Sequence, residues 1–490
     1  MTGAENDGRA IGTDLSPLYI FGGAAACAVA LAAGLSLGPG RAWAVPSFAR
    51  QTGQPCATCH NGYFPQLTAY GRQFKLNGYT AGGTRCRDSV AADPTPQIPI
   101  SVMLEATYTH IQKDLFDLPT NKKGELNGLA TNNNVMVQDT SVFYGGQIYC
   151  QLGAFIQATY DRNDEAFFLD NTDIRYANRA NVHGIDLIYG IDANNNPTVE
   201  DPWNTTPAWR LPGDPGNVFD PGFPAPLIDG GLAGIAAGAG AYVFVNNMFY
   251  AAVLDYKTLD RNVLQALGNE TPPSVGPTIG LEGGAPYWRL ALERTWDVYS
   301  LMFGTFGMTA NVIQDVTIPM PADKFTDVGW DAQFQYLSDM HFITARISYI
   351  YEWEKLDGSF SLGNAANLKN QLAEFNASVT YAYDARYSVT LGYFNTSGST
   401  DLDPTTGTSF FGTLNGSPNS SGEIVDIGYS PWSRGGPAFW PWLNTRCGVN
   451  FLHYDKLQGA STAYAQNSDG ITFRNARDDA SLLLYSWTAF

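Results

Sequence analysis

From about residue 98 onward the chain alternates apolar and polar side chains, and that period of two leaves it few ways to fold. Over 147–160 one parity reads Ile148, Cys150, Leu152, Ala154, Ile156, Ala158 and Tyr160. The other carries Gln147, Gln151, Gln157 and Thr159. Over 341–351, Ile343, Ala345, Ile347, Tyr349 and Tyr351 alternate with Thr344, Arg346 and Ser348. The pattern predicts about 16 strands whose junctions are sorted, an even count typical of bacterial outer-membrane barrels. Tight turns are expected at Gly145-Gly146, Asn246-Asn247, Trp296, Ser338-Asp339 and Ala385. Long polar loops are expected at 113–134, 193–229, 258–282, 354–371, 397–420 and 455–478. A soluble sandwich has no reason to sort its connections by length. The expected fold is therefore all-β: a transmembrane antiparallel β-barrel over 98–490, both ends of it on the periplasmic side. Aromatic residues at 13% suit the girdles of such a barrel, and the terminal Phe490 supports it. A net charge of −18 argues against nucleic acid and for cations.

The second signal is Cys56-Ala57-Thr58-Cys59-His60. Two thiols and an imidazole at this spacing form the attachment site of a c-type haem: Cys56 and Cys59 give thioethers and His60 becomes the proximal iron ligand. A thioredoxin-like pair would need a βαβ context, and a zinc site would need a second ligand pair; neither follows. Residues 20–37 are apolar and small, and Ala42-Trp43-Ala44 offers a cleavage site. Residues 1–44 thus read as a signal peptide, although Glu5, Asp7 and Asp14 outnumber Arg9 ahead of it.

Residues 45–97 are too few to build a core of their own around a haem. A helix is expected over 65–76, with Pro65 at its first position and Leu67, Tyr70 and Phe74 on one face. The segment should dock as a small plug in the mouth or lumen of the barrel. It contains no second His and no Met, so a sixth iron ligand would come from elsewhere. Met103 on the first strand has lumenal parity and is the candidate; an ordinary lumenal role is the plainer reading. His110, Lys75 and an open site are the alternatives. Cys150 and Cys447 read as small lipid-facing residues, Cys86 has no evident partner, and no disulfide is expected. Glu200 and Asp201 read as part of a solvated loop that could attract cations.

The stretches Val45 to Gly53, Cys56 to His60, Phe64 to Thr68 and Gly71 to Leu76, ending at Gly78-Tyr79, resemble the fused monohaem cytochrome–porins of iron-oxidising bacteria. The loop Asn194 to Val199, with Trp203 to Trp209, is also similar to that family. The resemblance implies one covalent haem c on Cys56, Cys59 and His60. It implies an outer-membrane Fe(II) oxidase that passes single electrons to a periplasmic cytochrome or copper protein. Two other functions fit the same residues: a diffusion porin with a haem plug, and an oxidase of another external donor. One-electron haem chemistry needs no acid–base dyad, and none stands out.

Overall fold

The computed structural model describes residues 46–62, 64–80, 98–120, 125–162, 165–209, 219–269 and 279–490. The expected signal peptide, with Cys27, and Cys86 lie outside them. A closed antiparallel barrel of 16 strands dominates. The first eight are β1 (Ile100–Ile111), β2 (Asn133–Tyr149), β3 (Leu152–Asp161), β4 (Ala166–Val182), β5 (Ile185–Asn194), β6 (Ala236–Val245), β7 (Phe249–Thr258) and β8 (Ala285–Trp296). The rest are β9 (Tyr299–Ile313), β10 (Asp323–Leu337), β11 (His341–Lys355), β12 (Lys369–Tyr383), β13 (Tyr387–Gly398), β14 (Ser420–Tyr429), β15 (Asn444–Lys456) and β16 (Ser481–Ala489). Each pairs with its sequence neighbours. The barrel closes because β1 pairs with β2 on one side and with β16 on the other, Met103 lying opposite Ser141 and Ala489.

Closure removes every sheet edge, so all ladder groups are paired without water. The pleat then sorts the side chains. Val253, Phe303, Val379, Leu391 and Ile427 point outward and are exposed, while Glu105, Asp173, Arg175, Arg289 and Gln335 point inward and are buried. That inversion of a soluble protein's pattern is the outer surface of a barrel that meets lipid. Among the described residues no helix is long and apolar enough to cross a membrane.

Three expectations move. The Gly145-Gly146 pair is not a turn; β2 runs through it and turns at Cys150-Gln151. A Cβ on Gly145 would lie 2.8 Å from Ser47 Oγ, and one on Gly146 would lie 2.3 Å from Gln51 Oε1. The pair is small because another part of the chain packs against the wall there. Cys150 sits in the turn with positive φ and is disulfide-bonded, against the expectation of no disulfide. It is therefore not a lipid-facing residue. Cys447 keeps outward parity but is buried, its Sγ 3.8 Å from Ser486 Oγ. At the same end, the β14–β15 connection is long and covers residues 430–443.

Candidate functional site

The N-terminal segment lies against the barrel's inward face. Helix α1 (Pro46–Thr52) is tied to β1: Ser47 N donates to Ser101 Oγ at 2.9 Å, and Arg50 Nη2 donates to Ile98 O at 3.1 Å. One helical turn, α2 (Cys56–Cys59), carries both thiols, and His60 N donates to Cys56 O at 2.8 Å. The 430–443 connection closes over it, with Ala57 N donating to Ser433 O at 2.9 Å and Trp432 and Trp440 packed on Ala49 and Cys56.

Helix α3 (Ala69–Leu76) follows. It begins four residues later than expected, because Thr68 caps it by accepting from Gly71 N. Leu67 and Phe74 are buried but Tyr70 is exposed, so the three do not share a face. Gly71 allows α3 to lie against α2: a Cβ there would sit 2.4 Å from Cys59 O. Arg72 reaches the barrel wall, donating to Gln335 Oε1 at 2.7 Å and pairing with Glu293, both ion-pair partners buried. Gln66 Nε2 donates to Thr380 Oγ1 at 2.9 Å, and Asn61 donates to Thr344. Tyr79 donates to Asp173 Oδ2 at 2.6 Å.

The other end of the lumen is filled by the long β5–β6 loop. Glu200 and Asp201 are buried there rather than solvated. Arg289 joins Asp201 (3.1 Å) to Asp331 (2.6 Å), and Arg175 donates to Glu200 O at 2.6 Å while pairing with Asp173 and Asp192. Asp173, Asp192, Asp201 and Asp331 thus each have an arginine partner, the condition for keeping charge out of water, while the Glu200 carboxylate accepts from Tyr287 at 2.6 Å. Burial pushes Glu200 up to about 7, and Arg289 holds Asp201 down. Loop and segment meet at Lys75, whose Nζ donates to Val199 O, Asp201 O and Asn204 Oδ1 at 2.7, 2.8 and 2.9 Å. Burial, reinforced by the Arg175 charge, pulls Lys75 down to about 7, against Asp173, Asp201 and Glu200.

Two small cavities border His60. One, about 70 Å³, is lined by Cys59, Phe48, Leu67, Phe74, Lys75 and Trp209 among others. The other, about 40 Å³, is lined by Cys56, Arg446, Trp487 and Ala489 among others. Phe64 borders both. The donor set fits a covalently held haem. His60 Nδ1 lies 3.2 Å from Gln66 O, which assigns the N–H to that side and leaves Nε2 as the free lone pair for iron. Burial pulls His60 down to about 4, so the imidazole is neutral, the form that binds metal. Burial pushes the Cys59 thiol up to about 12 and Cys56 up as well, the opposite of a reactive redox pair.

Met103 points inward and is buried, as its parity requires. It lines neither cavity, but its cross-strand partner Ala489 lines the one holding Cys56. His110, near the loop end of β1, is hydrogen-bonded to Asn133 at 2.8 Å. Beyond the β5–β6 loop lies a chamber of about 570 Å³, lined in part by Thr205, Asp220, Asp229, Arg346, Glu374 and Ser378.

The class is thus a membrane β-barrel with its lumen occupied from both ends. No family model matches the chain, and no curated protein does. Among solved structures it is similar to OmpT of Vibrio cholerae (8% identity, TM-score 0.38, covering 80% of this chain and 96% of that one). It is also similar to the outer membrane channel DcaP of Acinetobacter baumannii (12%, 0.40, 80% and 96%). A third is OccK11 of Pseudomonas aeruginosa (11%, 0.34, 80% and 94%).

Proposed function

We propose that this protein is an outer-membrane c-type cytochrome that takes single electrons from extracellular Fe(II) and passes them to a periplasmic cytochrome or copper protein. The observation that carries the reading is His60, neutral and half-buried inside a barrel, with Nδ1 held by a backbone carbonyl and two thiols bordering its cavities. A haem there supplies reversible one-electron chemistry. The chain's own residues do the rest. Gln66 orients the imidazole, and Phe48, Leu67 and Phe74 exclude water. Lys75 and Arg446 set positive charge beside the site, which favours the reduced state. A redox group in the lumen shortens the crossing of a hydrocarbon layer about 30 Å thick.

A second reading, a porin whose haem segment is a plug, is favoured by the 570 Å³ chamber at the loop end. Stopped-flow mixing of the oxidised protein with Fe(II), followed at the haem bands, tests the first. Reduction by Fe(II) is expected in wild type and lost in His60→Ala. No reduction at acid or neutral pH, together with channel-like conductance in planar bilayers, would favour the porin.

A further inference from the structure

We propose that Glu423, His453 and Asp455 form a binding site for a first-row divalent cation on the outer face of the barrel. These are the one grouping of three or more His, Cys, Asp or Glu among the described residues whose ligand atoms all lie within 4.8 Å of one another. The strand register builds it. Glu423 on β14 lies directly opposite His453 on β15, and both point outward. One step further, Ser421 pairs with Lys456 while Gly422 pairs with Tyr454, so Asp455 is the extra residue of a β-bulge. A bulge re-aims a side chain, and this one brings the Asp455 carboxylate to 3.9 Å from His453 Nε2. Phe451 stacks on the imidazole with planes 6° apart and fixes its orientation.

Place in the membrane agrees with this. Going up the outward rows, Ile427 and Val425 give way to Glu423, and Val449 and Phe451 give way to His453 and Asp455. The apolar band ends there, so the site stands at the loop-side rim, where lipid phosphates and water begin. The inward carboxylates Asp173, Asp331, Asp426 and Asp479 each pair with an arginine. At the rim, Asp455 instead has the His453 imidazole as its neighbour at 3.9 Å. The imidazole also decides the class of ion. Calcium and magnesium prefer all-oxygen shells, whereas one nitrogen and two carboxylates suit Mn(II), Fe(II), Co(II) or Zn(II). Donor atoms around such an ion stand about 3–3.5 Å apart, given bonds of about 2.0–2.2 Å, so side-chain rotation alone can close the set. The outward positions stay open to water or to a phosphate oxygen.

The test uses the full haem-loaded protein in detergent, washed with chelator and titrated with Mn(II), with free Mn(II) read by electron paramagnetic resonance. Wild type should bind one more Mn(II) per chain than His453→Ala or Glu423→Gln. Removing even an outer-shell partner costs about 10–100-fold in affinity, so each variant should lose at least about tenfold. Unchanged haem bands and heat-shifted gel mobility would show that the variants are folded. Equal binding by wild type and both folded variants, or none by wild type, overturns the site. Neither result depends on whether Fe(II) reduces the haem.

Discussion

Asn204 holds Lys75 from above: its Oδ1 accepts from Lys75 Nζ at 2.9 Å while its Nδ2 donates to Pro65 O, also at 2.9 Å. One loop residue therefore grips the N-terminal segment at both ends of its Pro65–Lys75 stretch. The Lys75 ammonium also lies 4.2 Å from the Trp209 ring centre. The two fillings of the lumen act as one packed unit.

Lys75 should make the midpoint potential depend on pH. Its folded pKa, about 7, lies below the ordinary lysine value of 10.5. The charge is present below about pH 7 and lost above it, so the potential should fall as pH rises through 7. One unit charge at about 10 Å, with an effective dielectric of about 20, is worth on the order of 1–2 kcal/mol. Lys75→Met should give the lower, flatter curve in a spectroelectrochemical titration. The linkage sign for stability is separate: the unfolded chain binds more protons between pH 7 and 10.5, so this group's contribution becomes more favourable as pH rises across that window.

Cys56→Ala combined with Cys59→Ala should abolish haem staining on a denaturing gel while the barrel still inserts. Staining that survives the double change would remove the haem assignment.

Met103→Ala should lower the potential by on the order of 0.1 V, within the roughly 0.8 V that axial ligation spans, and should change the ferric spectrum. Covalent attachment should remain. Unchanged potential and spectrum would show that the sixth ligand is not Met103. Lys75 is already committed to three acceptors, so an open site would come next.

Arg72→Ala should loosen the plug rather than the barrel. It leaves Glu293 buried without its cation, a loss of about 3–5 kcal/mol. Limited proteolysis of the folded protein should then cut within residues 46–80, while heat-modifiable gel migration stays normal. Equal protease resistance in variant and wild type would count against the docking role of this pair.

The strands were legible because they rest on a short-range pattern, the period of two along the wall. What sequence could not show depends on register. Gly145-Gly146 looks like a turn from its neighbours, yet it is small because Ser47 and Gln51 arrive from nearly a hundred residues away. Glu200 and Asp201 look like solvated loop until Arg175 and Arg289 reach them across the lumen. The Glu423–His453–Asp455 grouping needs one specific bulge. The density of Asn, Thr and Trp over 194–209 was the one local hint that this loop folds inward.

The seam between β1 and β16 has a further consequence. Ser101 on one side of it holds Ser47, and Trp487 on the other stacks on Phe64 with ring centres 5.3 Å apart. The seam where first and last strands meet thus shuts onto the plug itself, and the β5–β6 loop packs against the plug from the other side. Anything carried on Cys56 and Cys59 would therefore be walled in by the first and last strands of the barrel, so it would have to be in place before that seam seals.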